Sequence, residues 1–416
     1  GSMDGYPSRD GLEQVAPALP RAFHIMAKPI GPLCNLDCSY CFYLRKEELY
    51  PAAQGRAWRM TEATLEAFIR QYMAANQGPE VSFAWQGGEP TLLGVEFFER
   101  AVALQRQYRR PGQAVANALQ TNGTLLDARW CEFLARERFL VGLSVDGPPE
   151  LHDHFRVDKG AKPTFERVWQ GRQRMLEAGV EHNILCVVNR RNETEGARVY
   201  DFFVEAGVEH IQYIPATERG PEGTPTPWSC TPEGYGEFLV GAFDRWVRRD
   251  VGRVFVQAFD VALRAWCGLQ PGLCVNNETC GDALALEHNG DVYSCDHFVQ
   301  PYNHLGNLND EPLADLVASP FQRKFGTDKR DTLPPQCRAC DVLFACGGGC
   351  PKERWTTTAA GDPGLSYLCA GYLRFYHHIR PAMKFMASEL RQGRPAAGVM
   401  RWQAARDERA ARRLSS

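Results

Sequence analysis

Cys34, Cys38 and Cys41 fall within eight residues of the stretch PIGPLCNLDCSYCFYL, with three and then two residues between them. Three thiolates on one short loop can hold three corners of an iron–sulfur cube, and no fourth cysteine lies nearby. Four-cysteine sets are the usual closure of such sites. The spacing therefore predicts one iron left open to a small chelating molecule. A zinc knuckle and unrelated buried thiols are the plainer readings. Zinc needs a fourth ligand, and no histidine falls between His24 and His152.

The chain has fifteen cysteines, and eleven belong to two motif-bearing regions. The second region carries Cys274, Cys280, Cys295, Cys337, Cys340, Cys346, Cys350 and Cys369. Eight thiolates are enough for two complete four-ligand clusters; a pair of zinc ribbons is the competitor. Cys131, Cys186, Cys230 and Cys267 are scattered, and Cys186, in ILCVV, reads as a small buried hydrophobe. A chain of 416 residues can bury a sizeable core and needs no disulfide framework. The expected compartment is reducing and cytoplasmic.

A formal charge of −3 gives no argument for a polyanionic partner, so no nucleic acid is expected. Nothing resembles a signal peptide, and no apolar run approaches the roughly 20 residues that cross a bilayer. Gly1-Ser2-Met3 reads as a scar of tag cleavage at the head of a lead over residues 1–22. Arg380 to Ser416 holds nine Lys/Arg against three Asp/Glu, which reads as a solvated amphipathic helix in preference to a docking element.

FHIMAKPI reads as a first strand that delivers the three cysteines on a loop. Short apolar strands are expected at 81–88, 115–123, 139–147, 182–189 and 210–216. Between and after them, helical spacing predicts helices over 62–75 (with Thr61 as N-cap), 95–109, 128–138, 164–178, 195–206 and 232–248. Six strand–helix units argue for an α/β fold with a parallel sheet. Six is short of a closed barrel of eight, so an open, partial (β/α)6 barrel is expected, with its chemistry at the carboxyl ends of the strands. From about Val251 the pattern changes. Apolar residues alternate on either side of Asn289-Gly290, a two-residue hairpin signal, and the cysteine-dense remainder suits a region held by metal. The expected divisions are 1–22, 23–250, 251–370 and a helical basic tail over 371–416.

The CxxxCxxC loop, with Tyr40 and Phe42 around its last cysteine, resembles the signature of radical S-adenosylmethionine (SAM) enzymes. Its wider context, FHIMAKPIGPLCNLDCSYCFY, is similar to the anaerobic sulfatase-maturating enzymes. The resemblance runs from about Phe23 to Tyr376. It implies that the amino and carboxylate groups of SAM chelate the open iron, and that Gly87-Gly88-Glu89 after the second strand contacts the methionine moiety. Tyr40, Ser144 in LSVDGP and Arg156 in HDHFR match SAM-contacting positions, and Ile214 corresponds loosely to an adenine contact. The carboxy-terminal cysteines resemble a SPASM domain with interleaved pairing. Cys274, Cys280, Cys295 and Cys350 then hold one [4Fe–4S] cluster and Cys337, Cys340, Cys346 and Cys369 another, three clusters in all. Asp296 corresponds to a general base, and Tyr43 and Gln86 to contacts with a substrate peptide.

The implied reaction is oxidation of a sulfatase serine or cysteine to Cα-formylglycine through a 5′-deoxyadenosyl radical. Its partners are an extended substrate segment and an electron donor such as flavodoxin or ferredoxin. A related modifier of ribosomally made peptides is the alternative, and a non-catalytic zinc-binding module a second.

Overall fold

The computed structural model describes residues 22–50, 58–76 and 78–415. Apart from Ala22, the expected lead lies outside them. Strands and helices alternate in chain order: β1 (His24–Lys28), α1 (Glu62–Ala75), β2 (Glu80–Trp85), α2 (Val95–Tyr108), β3 (Ala114–Thr121), α3 (Ala128–Arg136), β4 (Leu140–Ser144). The series continues with the short α4 (Pro149–Phe155), α5 (Phe165–Ala178), β5 (His182–Val188), α6 (Gly196–Glu205), β6 (His210–Pro215) and α7 (Pro232–Arg249). Then come β7 (Phe255–Val256), α8 (Gln257–Trp266), β8 (Ala283–Glu287), β9 (Asp291–Tyr293) and β10 (His304–Asn307). The chain forms two compact units. One comprises residues 1–33, 43–119 and 279–331, the other residues 34–42, 120–278 and 332–416.

In the first unit β1 lies between two parallel neighbours. Met26 stands opposite Ala84 of β2, and Ile25 opposite Leu284 of β8. β2 pairs in turn with β3, Val81 opposite Val115. A strand covered on both faces reads as a near-continuous apolar run, as ALALE of β8 does, whereas VSFAW of β2 buries alternate residues, Val81, Phe83 and Trp85. α1 begins where Thr61 Oγ1 accepts the Thr64 N–H at 3.2 Å, a side-chain cap worth about 1 kcal/mol. Its Phe68 and Tyr72 pack on Phe83 and Trp85. The β8–β9 hairpin departs from the expected two-residue loop: Gly290 N–H bonds Glu287 O at 3.0 Å, and His288, Asn289 and Gly290 all lie between the strands. A tight turn followed by a glycine is the usual three-residue solution.

The second unit holds β4 to β7, all parallel, with Val141 opposite His182, Leu185 opposite Gln212 and Ile211 opposite Val256. The helix Cys369–Arg391 packs along α7 and α8 through Phe375, Phe243 and Phe259. The tail's second helix, Val399–Leu414, buries Val399, stacks Trp402 on Phe385 and pairs Asp407 with Arg248 at 2.8 Å. Cys186 is fully buried in β5. Among the described residues no helix is long and apolar enough to cross a membrane.

Candidate active site

The three-cysteine loop belongs to the second unit and is held along its first half. Asp37 N–H bonds Val157 O at 2.8 Å. Asn122, just past the end of β3, donates from Nδ2 to Asn35 Oδ1 at 2.9 Å and to Cys34 Sγ at 3.9 Å. Asn35 in turn donates to Thr124 Oγ1 at 2.9 Å. Cys34, Cys38 and Cys41 pack in one group with Leu36, Tyr40 and Ala216. Burial pushes the Cys38 thiol up to about 12; Arg156 pulls it down, and the nearby Cys41, Asp146 and Cys34 raise it. Such a thiol becomes a thiolate by trading its proton for metal. Three thiols grouped on one loop beside a cation suit a cluster with a net negative charge.

Asp146, two residues past β4, gathers the neighbouring polar groups. It is fully buried, accepts from the Tyr40 hydroxyl and the Val187 N–H at 3.0 Å, and forms an ion pair with Arg156, whose Nε lies 3.0 Å away. The Arg156 guanidinium also lies 5.4 Å from the centre of the Tyr40 ring. His152 locks this arrangement. Its Nδ1 accepts the Asp146 N–H at 3.3 Å, so Nε2 carries the proton and donates to Thr164 Oγ1 at 3.1 Å, whose hydroxyl donates to Arg156 O at 2.5 Å. Burial, reinforced by Arg156, holds His152 well below the usual imidazole range. The structure thus brings Tyr40 and Arg156 together through Asp146 and His152, neither of which the sequence reading picked out. The signal for Asp146 was a charged residue directly after an apolar strand. Ser144, at the end of β4, accepts from Gln120 Nε2 at 2.9 Å. Ile214 on β6 is a large hydrophobe left 36% exposed.

In the first unit, Gly87 and Gly88 have φ of +81° and +45°, the left-handed region that glycine enters without penalty. A β-carbon on Gly88 would stand 2.0 Å from Leu33 O and 2.8 Å from Gly31 O. The flanking amides of Gln86 and Glu89 bond Ala27 O and Leu33 O, each at 2.8 Å. The Glu89 carboxylate accepts from the Thr91 N–H at 3.1 Å and hydroxyl at 2.7 Å, capping the short turn Pro90–Leu93.

Beside this turn, Lys28 at the end of β1 is 1% exposed. Its ammonium pairs with Asp296, lies 4.1 Å from the centre of the Tyr43 ring and reaches Gln86 Oε1 at 3.5 Å. The Tyr43 hydroxyl donates to Glu287, so in this structure its phenol serves β8. Asp296 opens the short turn Asp296–Phe298 directly after Cys295.

The carboxy-terminal cysteines divide between the units. In the second, burial pushes Cys346 up to about 12 and Cys369 to about 11, and Cys337 and Cys340 raise both further. These four thiols influence one another electrostatically. Cys350 is pushed to about 12, by burial first and then by Glu353 and Cys274. Between Cys346 and Cys350, Gly347, Gly348 and Gly349 all have positive φ. Arg354 binds all three of their carbonyls, at 3.0 to 3.3 Å. In the first unit Gln322 Nε2 donates to Gly281 O and Ser294 O, at 2.8 and 2.9 Å, tying together the backbone next to Cys280 and next to Cys295. Among the described residues no group of three or more His, Cys, Asp or Glu side chains is set to hold a single metal ion; a four-iron cluster takes one thiolate at each iron.

The profile of the radical SAM superfamily matches residues 29–203, and that of the SPASM iron–sulfur cluster-binding domain residues 274–341. A serine-type anaerobic sulfatase-maturating enzyme of Bacteroides thetaiotaomicron is 43% identical, over 92% of this chain and 95% of that protein. A cysteine-type enzyme of Clostridium perfringens is 32% identical, over 88% and 99%. The structure of native anSMEcpe with bound AdoMet and Cp18Cys peptide superposes with a TM-score of 0.79 at 32% identity, covering 88% of this chain and 99% of that one. The fold is accordingly the partial (β/α)6 barrel of radical SAM proteins with a SPASM domain, and the chain belongs to the anaerobic sulfatase-maturating enzymes.

Proposed function

We propose that this enzyme converts a serine or cysteine in an extended segment of a sulfatase into Cα-formylglycine, with Asp296 as the general base. The observation that carries the reading is the placement of Asp296. It follows a candidate cluster ligand, Cys295, and is paired with an ammonium that also touches Gln86. Conversion of –CH2OH to –CHO removes one hydrogen atom from the β-carbon, one proton from the hydroxyl and one electron. The hydroxyl proton is assigned to the Asp296 carboxylate. When bound, SAM and the iron–sulfur clusters supply the hydrogen-atom abstraction and an acceptor for the remaining electron.

The cysteine count supports three [4Fe–4S] clusters: Cys34, Cys38 and Cys41 for the one that binds SAM, Cys274, Cys280, Cys295 and Cys350 for a second, Cys337, Cys340, Cys346 and Cys369 for a third. Tyr40, Arg156 and Ser144 are assigned to SAM, as is the Gly87-Gly88-Glu89 backbone. Exposed Ile214 offers an apolar face suited to adenine. A cytosolic reductant of the flavodoxin or ferredoxin kind is assigned as electron donor. Gln86 is assigned to the peptide; the Tyr43 ring, beneath Lys28, is assigned to that contact through its packing.

The test is anaerobic incubation of iron-loaded enzyme with SAM, a reductant and peptides carrying Ser-x-Pro-x-Arg or Cys-x-Pro-x-Arg, read by mass spectrometry. Loss of two hydrogens from the serine peptide, or the equivalent aldehyde from the cysteine peptide, is expected. Deoxyadenosine formation with neither peptide changed overturns the reading and favours a different peptide substrate.

A further inference from the structure

We infer that Lys28 is the positioning residue of the reaction: its ammonium sets the carboxylate of Asp296 and the side chain of Gln86 in one fixed arrangement. The inference rests on the reading of Asp296 as base. It starts from an anomaly in β1. HIMAK is an apolar strand whose last residue is a lysine 1% exposed, among the residue types least often buried unless paired. A long, flexible side chain with three donors is costly to fix in place, so its surroundings indicate what fixes it.

Those surroundings are built for it. Gly87 leaves the space: a β-carbon there would stand 2.6 Å from Lys28 Cβ. The Tyr43 ring meets the ammonium at 4.1 Å, and the Tyr43 hydroxyl is anchored on fully buried Glu287, so the ring is held as well. The ammonium then has two polar neighbours, Asp296 and Gln86 Oε1. Asp296 itself lies on a three-residue turn, whereas β1 is hydrogen-bonded to a strand on each side. The ion pair with Lys28 therefore ties the carboxylate to the strand. A base must reach its proton within hydrogen-bond distance, and misplacement by an ångström costs on the order of 10²-fold in rate.

The experiment compares wild type, Lys28→Met, Asp296→Asn and the double variant, each iron-loaded, for deoxyadenosine and formylglycine formation. Lys28→Met is expected to lower kcat for formylglycine about 10²-fold while the KM for SAM stays within about twofold, the range in which an untouched binding site leaves it. The double variant is expected to be no slower than Asp296→Asn alone, because a residue acting through Asp296 has nothing left to position. Wild-type kcat in Lys28→Met overturns the inference, as does a double variant slower than Asp296→Asn by the full Lys28→Met factor. If Lys28→Met fails to load iron, the double variant decides, since removing both charges of a buried pair is often tolerated where removing one is not. Should Asp296→Asn itself retain full activity, the assignment of the base has failed, a result separate from any involving Lys28.

Discussion

Asp296 and its partner Lys28 sit far apart in sequence and together in space. Asp296→Asn keeps the shape of the side chain and removes its ability to take a proton. Formylglycine formation should fall by roughly two to four orders of magnitude, while SAM cleavage, assigned to the three-cysteine loop, should continue. The ratio of deoxyadenosine to formylglycine in a variant of full iron content is the measurement, and an unchanged ratio would return Asp296 to a structural role. Gly88 behaves differently. Gly88→Ala forces a β-carbon against the Leu33 carbonyl in a left-handed conformation, a conformation that alone costs about 1–2 kcal/mol. A lowered melting temperature of the iron-loaded enzyme is therefore expected, whatever happens to SAM affinity. At this scale the grouping of Cys34, Cys38 and Cys41 was legible because spacing is local information. The Lys28–Asp296 pair was not, because nothing near Asp296 announces a lysine on the first strand. The one hint was a lysine closing an apolar strand.

Among the elements, the loop carrying Cys34, Cys38 and Cys41 and the eight cysteines from Cys274 to Cys369 read from the sequence as separate ligand sets. Replacing the three loop cysteines by alanine should abolish SAM cleavage and leave about eight irons per chain, by ligand count. Deoxyadenosine from a reconstituted triple variant would contradict the assignment. The segment from β4 to α5 carries a pH-dependent latch. His152 is held neutral in the fold, below its unfolded value, so its contribution is fully present above pH 6.5 and is lost as pH falls below that. An imidazolium could no longer accept the Asp146 N–H. The melting temperature should drop between pH 7 and pH 5.5, and His152→Asn should be less stable at pH 7 but flatter across that interval; equal slopes would remove His152 as the cause. The start of α1 was read closely from sequence because its cap is local: Thr61 Oγ1 accepts the Thr64 N–H. The hairpin loop was one residue longer than expected, since Asn-Gly fits more than one turn. The parallel pairing of β8 with β1 has no local signature at all.

For the molecule as a whole, the basic tail was read as a solvated helix, and its last helix touches α7 through the exposed pair Arg248–Asp407. Such pairs contribute at most about 1 kcal/mol. An enzyme ending at Gly393 should therefore keep its formylglycine activity within about threefold, with a modest loss in melting temperature because the buried Val399 and the Trp402 stacking on Phe385 go with it; a much larger loss of activity would give the tail a part in substrate handling. The order of synthesis has a consequence of its own. β1 leaves the ribosome well before β8, yet one of its two edges is covered by β8, more than 250 residues later in the chain. Until Ala283–Glu287 emerges, the nascent chain carries an open apolar edge, a template for mispairing, with Lys28 awaiting its carboxylate. A chain cut short before β8 would keep Cys34, Cys38 and Cys41 and lack Asp296, so, on the proposed assignment, messages truncated there would yield products with the first ligand set and without the proposed base.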